Sequence, residues 1–245
     1  MRSRAQNGSR FAVLIVLSAF ALVASGSAGD QKCVSSEELV KEFQNSPNFY
    51  KQFDVAEKLA QCRDTGVLRQ LEPYLADADR HIRGNAAFVF ASLADERGFD
   101  AIRSILQDRS SQRPMGQGTM GNWSLEGQIA SDRYYAAHLF GDLKDVRAVP
   151  ILIPLLKDRQ VNWIVPWSLG EIGDHAAVAP LIDTLHNSSP DMRVLAIYAL
   201  QQLRAKEALP ELRLLTQDDA TIHFDGLGTV AQAAKSAISK LEASP

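Results

Sequence analysis

The sequence predicts an all-α fold, an α-solenoid of stacked helical hairpins, and three observations carry that prediction. The segments 133–158, 162–187 and 193–218 align on one another, so that Pro150, Pro180 and Pro210 recur every thirty residues. Within each segment, apolar residues at helical spacing flank a short turn that is glycine- and aspartate-bearing or charged. Proline then falls in the first turn of a second helix, where no backbone N–H is needed. One hairpin cannot bury its apolar stripe alone. Stacked copies make a continuous core in which each touches its neighbours.

Taken in order, residues 1–10 are basic, Phe11 to Ala24 are apolar apart from Ser18, and Ser25 to Ala28 are small. That order predicts a signal peptide over 1–28. Its apolar run is shorter than the roughly 20 residues that span a bilayer. The mature protein is therefore expected in the periplasm or secreted, with no stable membrane insertion after cleavage. Residues 29–78 are expected to form helical hairpins that cap the stack, with helices over 35–43, 53–62 and 66–76. An antiparallel pair places Cys33, before the first helix, beside Cys62, at the end of the second. A Cys33–Cys62 disulfide is predicted, suited to an oxidising compartment. The repeat solenoid is assigned to 79–245. It opens with a degenerate copy over 82–108, in which Asp100 replaces proline, and ends on a first helix over 229–242. Insertions at 109–130 and 217–229 interrupt it, each joining a second helix to the next first helix.

The turn LGEIGD at 169–174, the second-helix start AVAPLI at 177–182 and the alanine-rich first helices resemble the short HEAT-like repeats also seen in phycobilisome-linker lyases. The resemblance covers about 79–242. It implies the fold and little about activity, because the motif is a packing motif. HEAT proteins that resemble deoxyhypusine hydroxylase hold iron through His-Glu dipeptides, and this chain has none. Its histidines at 81, 138, 175, 186 and 223 are scattered. No residue here carries chromophore-lyase activity over from such relatives.

Such repeats usually place charge at two first-helix positions four residues apart, which form one solvent-facing stripe. In this chain the first position is Gly84, Tyr134, Trp163 and Val194 in successive copies, and the second is Phe88, His138, Trp167 and Tyr198. An aromatic row where charge is the rule predicts a binding surface, unless an inserted loop or the N-terminal hairpin covers it. Trp123 in the first insertion is placed to dock on Tyr134 or Trp163, or to meet a ligand. Pro166, between two tryptophans, is expected to kink its helix. Arg83, Arg133 and Arg193 share one register and are read as local ion pairs along the stack.

Charge and motif exclude several classes. The chain carries 26 basic and 29 acidic residues, and the predicted leader removes only basic ones. No surplus remains to neutralise nucleic-acid phosphates. The tract MGQGTMG lacks the ending of a phosphate-binding loop, and no serine or cysteine stands in a nucleophile motif. His223, Asp225, Asp218 and Asp219 read as a solvated acidic turn. No metal and no cofactor are expected. The expected function is a non-catalytic envelope or secreted scaffold for a protein or extended peptide, anchored by Phe88, Trp123, Tyr134, His138, Trp163, Trp167 and Tyr198. The alternatives are a lyase-like enzyme using the insertions as a lid, or a membrane-tethered assembly factor.

Overall fold

The computed structural model describes residues 35–110, 125–223 and 228–243. The leader, Cys33, Trp123 and Asp225 lie outside them, and with them the leader and disulfide expectations. The chain divides between Ser168 and Leu169 into two units, and each is taken by itself.

The unit ending at Ser168 opens with α1 (Ser36–Asn45) and α2 (Phe49–Cys62), followed by short turns over 65–76 that include α3 (Leu68–Leu71). Then come α4 (Arg80–Ser92), α5 (Glu96–Gln107), α6 (Leu125–Leu143) and a segment over 146–157 that includes α7 (Val149–Leu152). It ends within α8 (Val165–Ile172). The unit from Leu169 holds α9 (Val178–Thr184), α10 (Pro190–Gln202), α11 (Leu209–Leu214) and α12 (Val230–Ala243). Each unit is a stack of hairpins with an aliphatic core, built on Leu59, Ile102, Leu139 and Leu152 in the first and on Leu181, Ile197, Leu212 and Leu241 in the second. Several second helices are broken into 3-10 and α pieces around Pro73, Pro150, Pro154 and Pro210. Proline removes the donors that a continuous i to i−4 ladder would need.

Three details differ from expectation. The first insertion ends early, because α6 already begins at Leu125. Pro166 does not kink a helix interior. The chain turns through 159–164, and α8 starts at Val165, so proline sits in the first turn, where its missing N–H costs nothing. The second insertion is partly ordered by its own backbone: Thr221 bridges Thr229, and the amide of Ile222 donates to the carbonyl of Gly228 at 3.1 Å.

The turns inside the hairpins share one construction. The first helices end on left-handed residues, Arg63, Ala94, Lys144, Gly173 and Arg204. After the first four comes an aspartate whose carboxylate accepts the amide two residues on: Asp64 from Gly66, Asp95 from Arg97, Asp145 from Arg147 and Asp174 from Ala176. The left-handed residue reverses the chain, and the aspartate satisfies an orphan donor of the next helix. Side-chain hydrogen bonds from Arg97 and Arg147 hold Asp95 and Asp145 below the usual carboxylate range.

Arginine ties the other ends of the hairpins. Arg133, almost fully buried, donates from Nε to the Leu106 carbonyl at 2.8 Å and from Nη2 to Asp158 at 2.8 Å. In the second unit Arg193 donates from Nη1 to the Asn187 carbonyl at 2.7 Å and pairs through Nη2 with Asp218 at 2.8 Å. The expected ion pairs thus hold at these two positions. At the third, Arg80 takes Asp108 at 2.7 Å and Asp132 at 2.8 Å, while Nε and Nη2 of Arg83 find no hydrogen-bond partner.

Two outcomes follow for stability. Left-handed backbone costs an L-residue roughly 1–2 kcal/mol, part of which glycine returns as unfolded-chain entropy. Ala94→Gly is therefore expected to stabilise the protein by up to about 1 kcal/mol in urea titrations. Asp158→Ala strips the buried Arg133 guanidinium of its carboxylate, and a loss of about 3 kcal/mol is expected in the same measurement.

Candidate functional site

The first unit gathers aromatic and acidic side chains where α2, α4, α6 and α8 approach one another. On α2, Phe49, Phe53 and Glu57 are four residues apart and share a stripe; on α6, Tyr135, His138 and Asp142 do the same at helical spacing. In a stack with contacts only between neighbours, α2 and α6 would be kept apart by α4. Gly84 removes that barrier. A Cβ there would sit 3.2 Å from the Tyr135 ring and 3.0 Å from Leu139, tighter than side chains ordinarily pack, so the glycine lets Tyr135 lie close across α4. Tyr135 reaches Phe49 at 5.7 Å and Phe53 at 6.2 Å between ring centroids.

Polar contacts fix the arrangement. The Tyr135 hydroxyl donates to Asn85 Oδ1, and Asn85 Nδ2 donates to the Phe49 carbonyl at 2.8 Å and to Gln52 Oε1 at 2.9 Å. His81, 2% exposed, is packed between Phe49 and Tyr135 at 4.3 and 4.9 Å, with Asp132 3.4 Å from its Nδ1. Burial pushes the Tyr135 phenol well above its usual range, and the carboxylates of Asp142 and Glu57 push the same way.

One turn along α6, the His138 imidazole stacks on Trp167, with ring centroids 4.4 Å apart and planes 25° from parallel. The tryptophan can approach because Gly141 lies beneath it: a Cβ at 141 would come within 2.7 Å of the indole. His138 Nδ1 stands 2.8 Å from Asp142 Oδ2, yet off hydrogen-bond alignment, so both buried atoms lack a hydrogen-bond partner. Glu57 lies at the exposed lip. Partial burial and then the anions of Asp142 and Asp54 push its carboxyl above the usual range, and His138 opposes them. The result is a half-buried indole stacked on an imidazole, beside a carboxylate whose buried oxygen has accepting capacity in hand, an arrangement suited to a planar molecule that donates hydrogen bonds.

The expected aromatic row is only partly assembled. His138 and Trp167 meet. Phe88 is buried at 7% exposure against Phe53, 5.1 Å between centroids, so at that end the N-terminal hairpin covers the row. Tyr134 is half-buried, which pushes its phenol up, and Trp163 is half-buried in the turn before α8. Among the described residues, neither makes a ring contact with the cluster. Val194 is buried, and Tyr198 lies in the second unit. Sequence reasoning missed Tyr135, Glu57 and Asp142. The i to i+4 His138–Asp142 pair and the four-residue rhythm of Phe49, Phe53 and Glu57 were the available signals. Among the described residues no three His, Cys, Asp or Glu side chains are grouped to hold a metal ion, and no helix is long and apolar enough to cross a membrane.

Residues 157–222 match the model of the HEAT-repeat family. The chain is 36% identical over 112 residues to the phycocyanobilin lyase subunit alpha of Picosynechococcus sp., covering 38% of this chain and 42% of that protein. It is 32% identical over 146 residues to the bilin biosynthesis protein PecE of Nostoc sp., covering 58% and 53%. The chain thus spans about half the length of the curated relatives it matches. A computationally designed armadillo repeat protein for modular peptide recognition aligns over 83% of this chain and 98% of its own, at 18% identity and a TM-score of 0.42. The bilin relatives overturn the expectation of a non-catalytic scaffold that is not an enzyme, and favour the lyase-like alternative. The expectation failed for a physical reason: the repeat pattern encodes packing, so silence about chemistry in that pattern is not absence of chemistry.

The raised Glu57 carboxyl sets a pH dependence. A group that holds its proton more tightly when folded favours folding at low pH, and that contribution is lost as pH rises through its folded value. Glu57→Gln is expected to raise Tm at pH 7 and to lose this advantage by pH 4, read from thermal melts at the two pH values.

Proposed function

We propose that this HEAT-repeat protein is a lyase-like enzyme that handles a bilin, holding the chromophore at the His138–Trp167 cluster and presenting it to a protein acceptor. The observation that carries the reading is the stacked His138–Trp167 pair beside Asp142, in a chain similar to proteins named as a phycocyanobilin lyase subunit and a bilin biosynthesis protein. A bilin is a flat conjugated chain of pyrrole rings. It offers a π-face to the half-buried Trp167 and N–H donors to Asp142, whose Oδ2 lacks one. The repeats of each unit supply a preformed protein surface, which suits binding the acceptor by area while the cluster positions the chromophore. The partner in this reading is a folded protein with a chromophore attachment site, rather than an extended peptide.

The basic and apolar order of residues 1–28 supports placing the mature protein outside the cytosol, where a Cys33–Cys62 bond would be stable.

Phycocyanobilin titrated into the purified full chain is expected to bind, with a change in its visible absorbance. Trp167→Leu should weaken binding by about tenfold or more, the loss of one stacking surface. Wild-type protein that leaves the spectrum unchanged at high micromolar concentration would refute the reading.

A further inference from the structure

The chromophore reading leaves open which molecules the site admits, and this inference rests on that reading. We infer that His138 is a specificity-determining residue: its imidazole covers the indole face of Trp167, and a ligand takes that face only by displacing it.

The cover follows from the repeat. His138 and Trp167 hold the same first-helix position in successive copies, so stacking the copies sets their side chains beside one another. Their ring centroids lie 4.4 Å apart and the planes are 25° from parallel, which puts the two faces in contact. Tryptophan is the fixed partner of the pair. Its indole fills the space left at Gly141, where a Cβ would come within 2.7 Å of it. The next residue, Ser168, is fully buried, and its hydroxyl donates to the Ala137 carbonyl at 2.9 Å, tying α8 to α6.

The imidazole is the movable partner. Its side chain is 20% exposed, and it has a second resting place one turn along α6: Nδ1 stands 2.8 Å from Asp142 Oδ2 but off alignment, so the stack is kept and that hydrogen bond is not made. Rotation out of the stack into another staggered well frees the imidazole to turn towards Asp142. Such a cover lowers the apparent affinity of every ligand by the fraction of molecules in which the indole is bare. A fixed penalty sorts ligands by size. A single pyrrole offers the indole no more area than the five-membered ring it displaces. A planar run of several conjugated rings covers both rings of the indole and gains contact that the imidazole cannot match. His138 therefore rejects single rings and admits extended ones.

Removing the cover tests this directly, because loss of a merely structural side chain can only weaken binding. In His138→Ala the full chain is expected to bind phycocyanobilin about fivefold tighter than wild type in absorbance titrations. Imidazole added to the buffer should return that affinity towards the wild-type value by refilling the place of the lost ring. Indole, a small planar probe, should bind His138→Ala and not wild type in calorimetry. Equal or weaker phycocyanobilin binding by His138→Ala overturns the inference and leaves the chromophore reading standing. Indole binding that is gained in His138→Ala and competed by imidazole, with phycocyanobilin bound by neither protein, keeps the cover and removes the chromophore. If neither probe binds either protein, both fall. His138→Gln, which keeps a polar side chain but no ring, carries the same expectations should His138→Ala not fold.

Discussion

The Tyr135 hydroxyl on Asn85, laid across the bare backbone of Gly84, is the contact on which the first unit's chemistry depends. Without it α2 and α6 would be separated by α4, as neighbour-only stacking requires, and Phe49 and Phe53 would meet only α4. With it, three first helices converge. Their convergence places Glu57 of one helix within electrostatic reach of His138 and Asp142 of another. Asn85 is the hinge of this arrangement, because it donates to α2 with its amide nitrogen and accepts from α6 with its oxygen. A small residue and an amide, unremarkable in a helix sequence, thus set the geometry of a site several turns away.

The site is a modification of the repeat rather than an addition to it. Each first helix must bury one stripe, and the opposite stripe is free to vary. In α4 and α6 that stripe became partly buried too, and its polar members lost water without gaining full hydrogen bonding. Such under-satisfied groups cost stability and are retained where they meet something from outside. The pushed-up carboxyl of Glu57 and the misaligned His138–Asp142 pair are both signs of that cost.

Architecture was far more legible in the sequence than function. The thirty-residue recurrence of Pro150, Pro180 and Pro210 reports local backbone chemistry, and the helices fall where that rhythm puts them. The arginine register was equally readable at Arg133 and Arg193, since each reaches an aspartate at the end of its own hairpin. At Arg83 the reading failed because Arg80 was nearer to Asp108. The aromatic row was half visible. His138 and Trp167 were found by their departure from charge, but the neighbouring Tyr135 was passed over, because its role depends on an absent side chain one helix away. At Phe88 the alternative outcome holds, cover by the N-terminal hairpin, but its partner Phe53 obeys no repeat rule and so could not be named from the pattern.

The flanks of the first insertion are clasped on both sides of residues 111–124. Arg80 holds Asp108, Arg109 holds Asp158, and Gln160 reaches Glu126. At the turn ends of the same hairpins Arg147, with its guanidinium 4.5 Å above the Phe99 ring, pairs with Glu96 at 2.6 Å. Neighbouring hairpins are therefore sealed to one another by side chains that do not come from the intervening stretch. The two hairpins on either side of residues 111–124 thus carry their own clasp, so a substitution at Asp158 would be felt at Arg109, in the hairpin across from it.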